Sequence, residues 1–512
     1  MGTRTENLAL IYQESITAIV RLRANRQPVA NGVLDTWNAT GFPAGVYKLR
    51  LTPAHILRWT AGEWFGEEAL LQRPFSGVST DSRTAQPGDL FVALAGDRFD
   101  GHDFVLPRAA AGGSISMVSA RWYANHAGEA AAANLIVVPE TLHSFQEAAA
   151  AYRATFSIPA IAVTGSVGKT TTKEAIFSVL SRRFRVLRNA KSFNNHIGVP
   201  LTLFGLRDEH QILLAELGTN HFGELDRLGA LVRPDMAMIT NIGYAHLEFF
   251  QDLAGVARAK FEIFNHCRPD GTAFFNADDA ILRGHRYPLA HTRSFGVDHP
   301  ADLNAEVLGC DDRARYTLRI LGRDVTLPVS GRHNIDNALA AAAVGLEFGL
   351  ALEEILTGVA ELPVVDKRMA MISHGGMLLM NDTYNANPNS CSAALRTLAD
   401  ISVQGSGRRI AVLGDMLELG GYSTQEHRKL ADLAAGCGLD QLFLFGRETQ
   451  ATLERAGELG LPARHFSDKE GLAEALTECL QPGNVILFKG SRGMQMETLV
   501  EGVQHHLATN SK

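Results

Sequence analysis

Ala162-Val-Thr-Gly-Ser-Val-Gly-Lys-Thr-Thr-Thr-Lys173 joins a strand-like apolar stretch, Ile158 to Val163, to a helix-like run, Lys173 to Leu180. A glycine-rich turn between a strand and a helix is where a phosphate loop belongs. Its backbone N–H groups turn inward around phosphate oxygens, a lysine reaches the terminal phosphates and a hydroxyl suits a Mg2+ ion. Gly165, Ser166, Val167, Gly168, Lys169, Thr170 and Thr171 supply these parts, with Lys169 as the point charge and Thr170 as the hydroxyl. The loop reads T-G-x-x-G-K-T and departs from the strict eight-residue Walker pattern, because Val163 occupies the position five before Gly168. An unliganded turn would need Gly, Lys and Thr to coincide at these offsets by chance. The stretch therefore predicts a site for a nucleoside triphosphate with Mg2+, inside an α/β unit.

Outward from the loop the same rhythm continues. Gln211 to Ala215 and Met236 to Ile239 read as buried strands, each followed by polar residues and a helical pattern. That alternation predicts a mainly parallel sheet covered by helices, a central P-loop ATPase-like domain over residues 158–362. After Pro363, a natural hinge, the rhythm restarts with Met377 to Met380, Arg409 to Leu413, Gln441 to Phe445 and Asn484 to Phe488, which predicts a Rossmann-like domain over 363–512. Residues 49–157 form a third α/β unit, with a Pro87-Gly88 turn and the strand Leu90 to Leu94. Residues 1–48 read as an appendage of unknown role in which Leu8 to Ala24 fits an amphipathic helix.

The chain has 512 residues, too many for one ordinary core and consistent with about three domains. No apolar run approaches the roughly 18 residues needed to span a bilayer, and the polar start, Met1 to Asn7, is no secretory signal. A cytoplasmic protein is expected. Five scattered cysteines (Cys267, Cys310, Cys391, Cys437 and Cys479) lack metal-type spacing and suit reduced thiols. A net charge of -7 without a dense basic run leaves no footprint for nucleic acid.

In a parallel α/β sheet ligands collect at the carboxyl ends of strands, so the polar residues there are the candidates. Glu216 ends Ile212-Leu-Leu-Ala-Glu216, where its carboxylate can hold Mg2+ or simply face water. His246 follows the next strand, where its imidazole can ligate a second ion or serve as a structural residue. Lys260 shares a helical stripe with Leu253, Val256, Ala257 and Phe264. Its stem can pack while the ammonium reaches water, or burial can leave a neutral amine that takes up carbon dioxide as a carbamate. Asn334 can cap the alanine-rich helix that follows Ser330, and Asn337, one turn later, can read an adenine edge. Arg368 and the Asp382-Thr-Tyr-Asn-Ala-Asn387 segment, with Asp382 and Asn385, can close on the same nucleotide or be a surface arginine and a polar turn.

Together these motifs resemble the Mur ligase family, ATP-dependent amide-forming enzymes of bacterial peptidoglycan assembly. T-G-S-V-G-K-T at 164–170, Glu216, His246, Ala259-Lys260, His333-Asn-x-x-Asn337 and Arg368 fall in the family's order, from about Leu51 to the C-terminus. Four further segments narrow the resemblance to the member that adds D-Ala-D-Ala to UDP-MurNAc-tripeptide: Thr80-Asp-Ser-Arg83 with Gly88-Asp-Leu-Phe-Val-Ala-Leu94, Phe193-Asn-Asn-His-Ile-Gly-Val-Pro200, Asp382-Thr-Tyr-Asn-Ala-Asn-Pro388 and Gly414-Asp-Met-Leu-Glu-Leu-Gly420. The D-N-P-R signature of the preceding ligase is absent.

The resemblance implies a uridine-nucleotide domain with Ser82 and Arg83 as contacts, and Asn194 and Asn195 near the muramoyl-peptide. It implies catalysis by Lys169, Glu216, His246 and a carbamylated Lys260, with Thr170, Glu216, His246 and Lys260 as metal ligands. Asn334, Asn337, Arg368, Asp382 and Asn385 would bind the nucleotide, the last three from the dipeptide-binding C-terminal domain. The expected state is a monomer. Arg188-Asn-Ala-Lys-Ser-Phe193 departs from the threonine-glycine-rich stretch of relatives. Two rivals are a folate polyglutamate ligase, which has no use for a uridine-binding domain, and a nucleotide-driven scaffold, whose hydrolysis would not depend on an amine.

Overall fold

The computed structural model describes residues 49–96, 99–112, 115–190 and 192–510. The Leu8 to Ala24 helix of the sequence reading lies outside them. The fold is α/β, with three sheets whose strands are mostly parallel. By packing, the described chain divides into two compact units. One comprises the residues up to Ile161 with Phe184–Leu217 and Arg227–Pro234; the other comprises Ala162–Arg183, Gly218–Asp226 and the residues from Asp235 onward.

The first sheet is built from β1 (Glu63–Phe65), β2 (Val78–Ser79), β3 (Leu90–Val92), β4 (Ile115–Ser119) and β5 (Asn134–Val138), in the order β1-β5-β4-β3-β2. Only β1 is antiparallel to its neighbour. Strands three to five residues long with nearly every side chain buried have no alternation to show, so their signal is a short apolar run. Phe91, Val118 and Leu135 pack with Val105 into the core on one face.

The second sheet contains β6 (Ala160–Thr164), β7 (Val186–Arg188), β8 (Ile212–Glu216), β9 (Met236–Ile239), β10 (Thr272–Asn276), β11 (His291–Gly296), β12 (Leu303–Cys310), β13 (Arg315–Ile320) and β14 (Arg323–Ser330). Its order is β14-β13-β12-β11-β10-β9-β6-β8-β7. β12, β13 and β14 form an antiparallel meander, each strand with one polar face, which the sequence reading missed. In the third sheet, β15 (Ala370–His374) pairs antiparallel with β16 (Met377–Asp382), and the rest is parallel: β17 (Arg409–Gly414), β18 (Gln441–Phe445), β19 (Ala463–Phe466) and β20 (Val485–Lys489). The order β15-β16-β20-β17-β18-β19 sets the carboxyl ends of β16, β20 and β17 side by side. Among the described residues no helix is long and apolar enough to cross a membrane.

Candidate active site

The turn after β6 has the backbone of a phosphate cradle. Gly168 sits at φ +84° as the N-cap of the helix Lys169–Leu180, a left-handed conformation that glycine adopts without penalty. Gly165 is required by close approach, because a Cβ there would overlap the Thr240 hydroxyl. The segment after β9 staples the loop. Val167 N–H donates to Asn241 Oδ1 (3.0 Å), its carbonyl accepts from Thr240 Oγ1 (2.6 Å) and Asn241 Nδ2 (2.9 Å), and Ser166 Oγ bonds the Gly243 carbonyl (3.0 Å) and N–H (2.9 Å). Lys169 Nζ donates to the Gly165 carbonyl at 2.7 Å. The helix starts at Lys169, four residues before the predicted run, so Thr170 and Thr171 lie in its first turn with the positive end of its dipole.

Asn337 holds the other flank. Its Oδ1 accepts from Thr172 Oγ1 at 2.7 Å, its Nδ2 donates to Asn334 Oδ1 at 2.9 Å, and Asn334 Nδ2 donates to the Ser330 carbonyl at 2.8 Å. Both asparagines are buried, so this chain of amides fixes the start of the helix His333–Glu347 against the loop. A cavity of about 260 Å³ opens on the same helix start, walled by His333, Asp336, Asp278, Asn389 and Arg396 among others. His333 Nδ1 is buried there without a hydrogen-bond partner.

His246 has φ +54°, uncommon for a side chain with a Cβ. Its Nδ1 lies 2.6 Å from Glu418 Oε2, and this hydrogen bond holds the Glu418 carboxyl below its ordinary range. Lys260 is 1% exposed within the helix Leu253–Phe261, which Asp252 caps through Gly255 N–H (2.7 Å). Burial, reinforced by the Lys169 ammonium, pushes the Lys260 ammonium well below the lysine range. Its side chain is sealed and does not snorkel to water.

At the carboxyl ends of the third sheet, Asp382 Oδ2 accepts from Lys489 Nζ at 2.6 Å and Oδ1 from Met369 N–H at 3.1 Å. Lys489 also donates to the Asn385 carbonyl (2.9 Å), and Asn385 Oδ1 accepts from Arg492 N–H (3.2 Å). The Arg368 guanidinium lies 4.0 Å from the centre of the Tyr384 ring, a cation–π pair.

In the first unit Glu216 is 1% exposed; its Oε1 accepts from Asn194 Nδ2 (2.7 Å) and its N–H donates to Asn189 Oδ1 (2.6 Å). Asn195 Oδ1 accepts from the N–H groups of Ile197 and Gly198 at the start of the helix Gly198–Leu203. Arg83 forms a bidentate pair with Asp81 (2.9 and 2.7 Å), which pulls the Asp81 carboxyl down to about 2. The Ser82 carbonyl accepts from Arg108 Nη1 at 3.1 Å.

The chain matches the Mur ligase family catalytic domain over residues 74–153, the Mur ligase middle domain over 163–345 and the Mur ligase glutamate ligase domain over 367–492. It is 35% identical, over 84% of its length and 93% of the relative's, to the UDP-N-acetylmuramoyl-tripeptide--D-alanyl-D-alanine ligase of Bacillus subtilis. The chain belongs to the Mur ligase family. Among solved structures this Mur ligase is similar to MurF from Acinetobacter baumannii, with TM-score 0.80 and 34% identity over 90% of this chain and 100% of that one. It is also similar to MurF ligase from Thermotoga maritima in complex with ADP, with TM-score 0.73 and 26% identity over 85% and 98%.

Within the second unit of this Mur ligase, the phosphate loop meets Asn337, and Lys260 feels the charge of Lys169. His246 meets Glu418, and Asp382 meets Asn385 through Lys489. Glu418 and Lys489 were not singled out from the sequence. Glu418 stood there only within a matching motif, and Lys489 only at the end of an apolar strand whose final residue was read as Phe488.

Proposed function

We propose that this Mur ligase joins D-alanyl-D-alanine to UDP-N-acetylmuramoyl-tripeptide with hydrolysis of ATP to ADP and phosphate, acting as a cytoplasmic monomer. The observation that carries this reading is the extent of the likeness: 34% identity and a TM-score of 0.80 along the whole of a MurF chain. A fused or borrowed domain would match only in part.

The chemistry follows from the weakness of a carboxylate as an electrophile. An oxygen of the tripeptide carboxylate attacks the γ-phosphorus, the bond to the β-phosphate oxygen breaks, and an acyl phosphate forms. The dipeptide amine then adds to the acyl carbon, and the tetrahedral intermediate expels phosphate as the amine loses a proton. The backbone at Gly165 and Gly168 and the positive end of the helix Lys169–Leu180 hold the phosphates, while the Ser166 and Val167 N–H groups stay on Asn241, and Lys169, released from the Gly165 carbonyl, offsets charge on the transferring group. The cavity beside His333 and Asp336 takes the base of ATP, with Asn334 and Asn337 aligning it to the loop. Arg368, Asp382 and Asn385 contribute from the C-terminal domain, residues 363–512.

A threonine hydroxyl, a carboxylate and a carbamate are hard oxygen donors that fit Mg2+, and an imidazole would add a borderline nitrogen. A carbamate on Lys260 would add an anion to that set. Thr170, Glu216, His246 and a carbamylated Lys260 are the residues that would hold Mg2+. Bound Mg2+ would neutralise phosphate charge. Ser82 and Arg83 contact the uridine nucleotide within the domain over residues 49–157, and Asn194 and Asn195 lie toward the muramoyl-peptide.

The test is product mass from parallel reactions. Uridine-linked dipeptide, uridine-linked tripeptide and a folate serve as donors, and D-Ala-D-Ala, meso-diaminopimelate, L-lysine and glutamate as acceptors. Amide should form only from tripeptide and D-Ala-D-Ala. Addition of a single amino acid to the dipeptide, or of glutamate to folate, would overturn the assignment.

A further inference from the structure

The segment from Gly243 to Glu248 touches the phosphate loop on one side and the C-terminal third of the chain on the other. Toward the loop, Gly243 exchanges two hydrogen bonds with Ser166 Oγ. Toward the C-terminal third, Tyr244 N–H donates to Asn389 Oδ1 at 3.1 Å, and a Cβ on Gly243 would come within 2.7 Å of the Asn389 amide carbon. Only glycine lets Asn389 approach so closely. Three residues on, His246 Nδ1 meets Glu418 Oε2 at 2.6 Å, and Glu248 N–H donates to the Glu418 carbonyl at 3.1 Å. Gly420, at φ +53°, brings its own backbone against Glu248.

The docking side is itself rigid. Ser491 N–H donates to the Asp415 carbonyl (3.0 Å) and Leu417 N–H to Ser491 Oγ (2.8 Å), which tie the stretch around Glu418 to the end of β20. Asn389 stands in the first turn of the helix Pro388–Asp400, fixed by the reciprocal cap of Asn387 and Ser390, and it also walls the cavity. His246 and Glu418 both hold left-handed φ values, +54° and +63°, which persist only where surrounding contacts impose them.

We propose that Asn389 and Glu418 are positioning residues: together they latch residues 243–248, and through them set both the phosphate loop and the imidazole of His246 for phosphoryl transfer. A carboxylate only accepts, so Glu418 favours a proton on His246 Nδ1, which in the neutral ring puts the lone pair on Nε2. Asn389 sets the backbone that orients Ser166. The loop is then in order when the C-terminal third is docked and its cavity wall is in place. This rests on the ligase reading above.

The variants are Glu418→Ala, Glu418→Gln and Asn389→Ala in the full chain. Nitrogen-15 spectra of histidine-labelled protein, without nucleotide or metal, should show His246 as the Nδ1–H tautomer in wild type and a mixture in Glu418→Ala. Amide exchange at Tyr244 should quicken in Asn389→Ala by about tenfold or more. In turnover, Glu418→Ala should lose about 10- to 100-fold in kcat with little change in KM for ATP, and Gln should restore most of it. An unchanged tautomer in Glu418→Ala, or equal loss in Ala and Gln, would overturn the role of Glu418. Unchanged Tyr244 exchange would overturn that of Asn389. The spectral and exchange measurements need no substrate, so a wild type that forms no amide would refute the ligase reading while these two still decide the latch.

Discussion

Lys260 and Lys489 are sealed from solvent almost equally, at 1% and 2% exposure, yet their surroundings are opposite. Lys489 Nζ sits 2.6 Å from the Asp382 carboxylate and 2.9 Å from the Asn385 carbonyl. Lys260 lies among Val256, Ala257 and Ala259 of its own helix, and the charge that weighs on it is a second ammonium, Lys169. A buried ammonium with a carboxylate is a tie between strands: Asp382 and Lys489 end β16 and β20 in direct register. One facing another cation is better off neutral, and a neutral amine is the form that combines with carbon dioxide. At equal burial the two lysines differ in the charge beside them, and that difference is what the proposed chemistry of Lys260 rests on.

The widest separation should come from Lys260→Arg. Arginine keeps the charge but cannot form a carbamate, so turnover should fall on the order of 100-fold while near-UV circular dichroism stays native. Full activity in that variant would erase the distinction. Lys489→Met should act on stability instead. It strands the Asp382 carboxylate and should cost about 3 kcal/mol in urea unfolding, with part of the loss recovered by adding Asp382→Asn. A cost below about 1 kcal/mol would mean that the pair is no tie.

Asp336 sharpens the same contrast with an anion. Burial, with Asp278 nearby, pushes its carboxyl up to about 7. The folded state then binds more protons than the unfolded one between the ordinary aspartate range and about pH 7, so stability falls as pH rises through that window. Asp336→Asn should therefore be more stable than wild type above pH 7, by about 1–3 kcal/mol, and the gain should vanish near pH 4. Urea midpoints at the two pH values measure it. An equal gain at both would assign the effect to packing.

Much of this was legible in the sequence because it is local. The phosphate loop, Glu216 at a strand end and four strands of the third sheet, β16, β17, β18 and β20, announce themselves through glycine spacing and short apolar runs, whereas the edge strands β15 and β19 do not. The start of the loop helix was read too late, because Thr170, Thr171 and Thr172 are poor helix formers and the dipole-facing first turn overrides that preference. The antiparallel meander β12–β14 was missed although its strands alternate and Leu321-Gly322 marks one turn. Partnerships were not legible at all. Nothing in Gly414-Asp-Met-Leu-Glu-Leu-Gly420 says that Glu418 meets His246, 172 positions away, or that Lys489 and not a solvent ion answers Asp382. Lys260 was undecidable for the same reason: the stripe was visible, but its burial and the nearness of Lys169 belong to the folded chain.

The central claim is that this chain makes an amide through an acyl phosphate on the uridine-linked tripeptide, and an oxygen label follows it directly. The terminal carboxylate of UDP-N-acetylmuramoyl-tripeptide is labelled with oxygen-18 at both positions and supplied with ATP, Mg2+ and D-Ala-D-Ala, and the products are weighed. One labelled oxygen should appear in inorganic phosphate for each amide formed, with the other retained in the new amide carbonyl, and neither should appear in the absence of ATP. Amide accompanied by unlabelled phosphate, or ADP and phosphate released without amide from this donor and acceptor, would contradict the account.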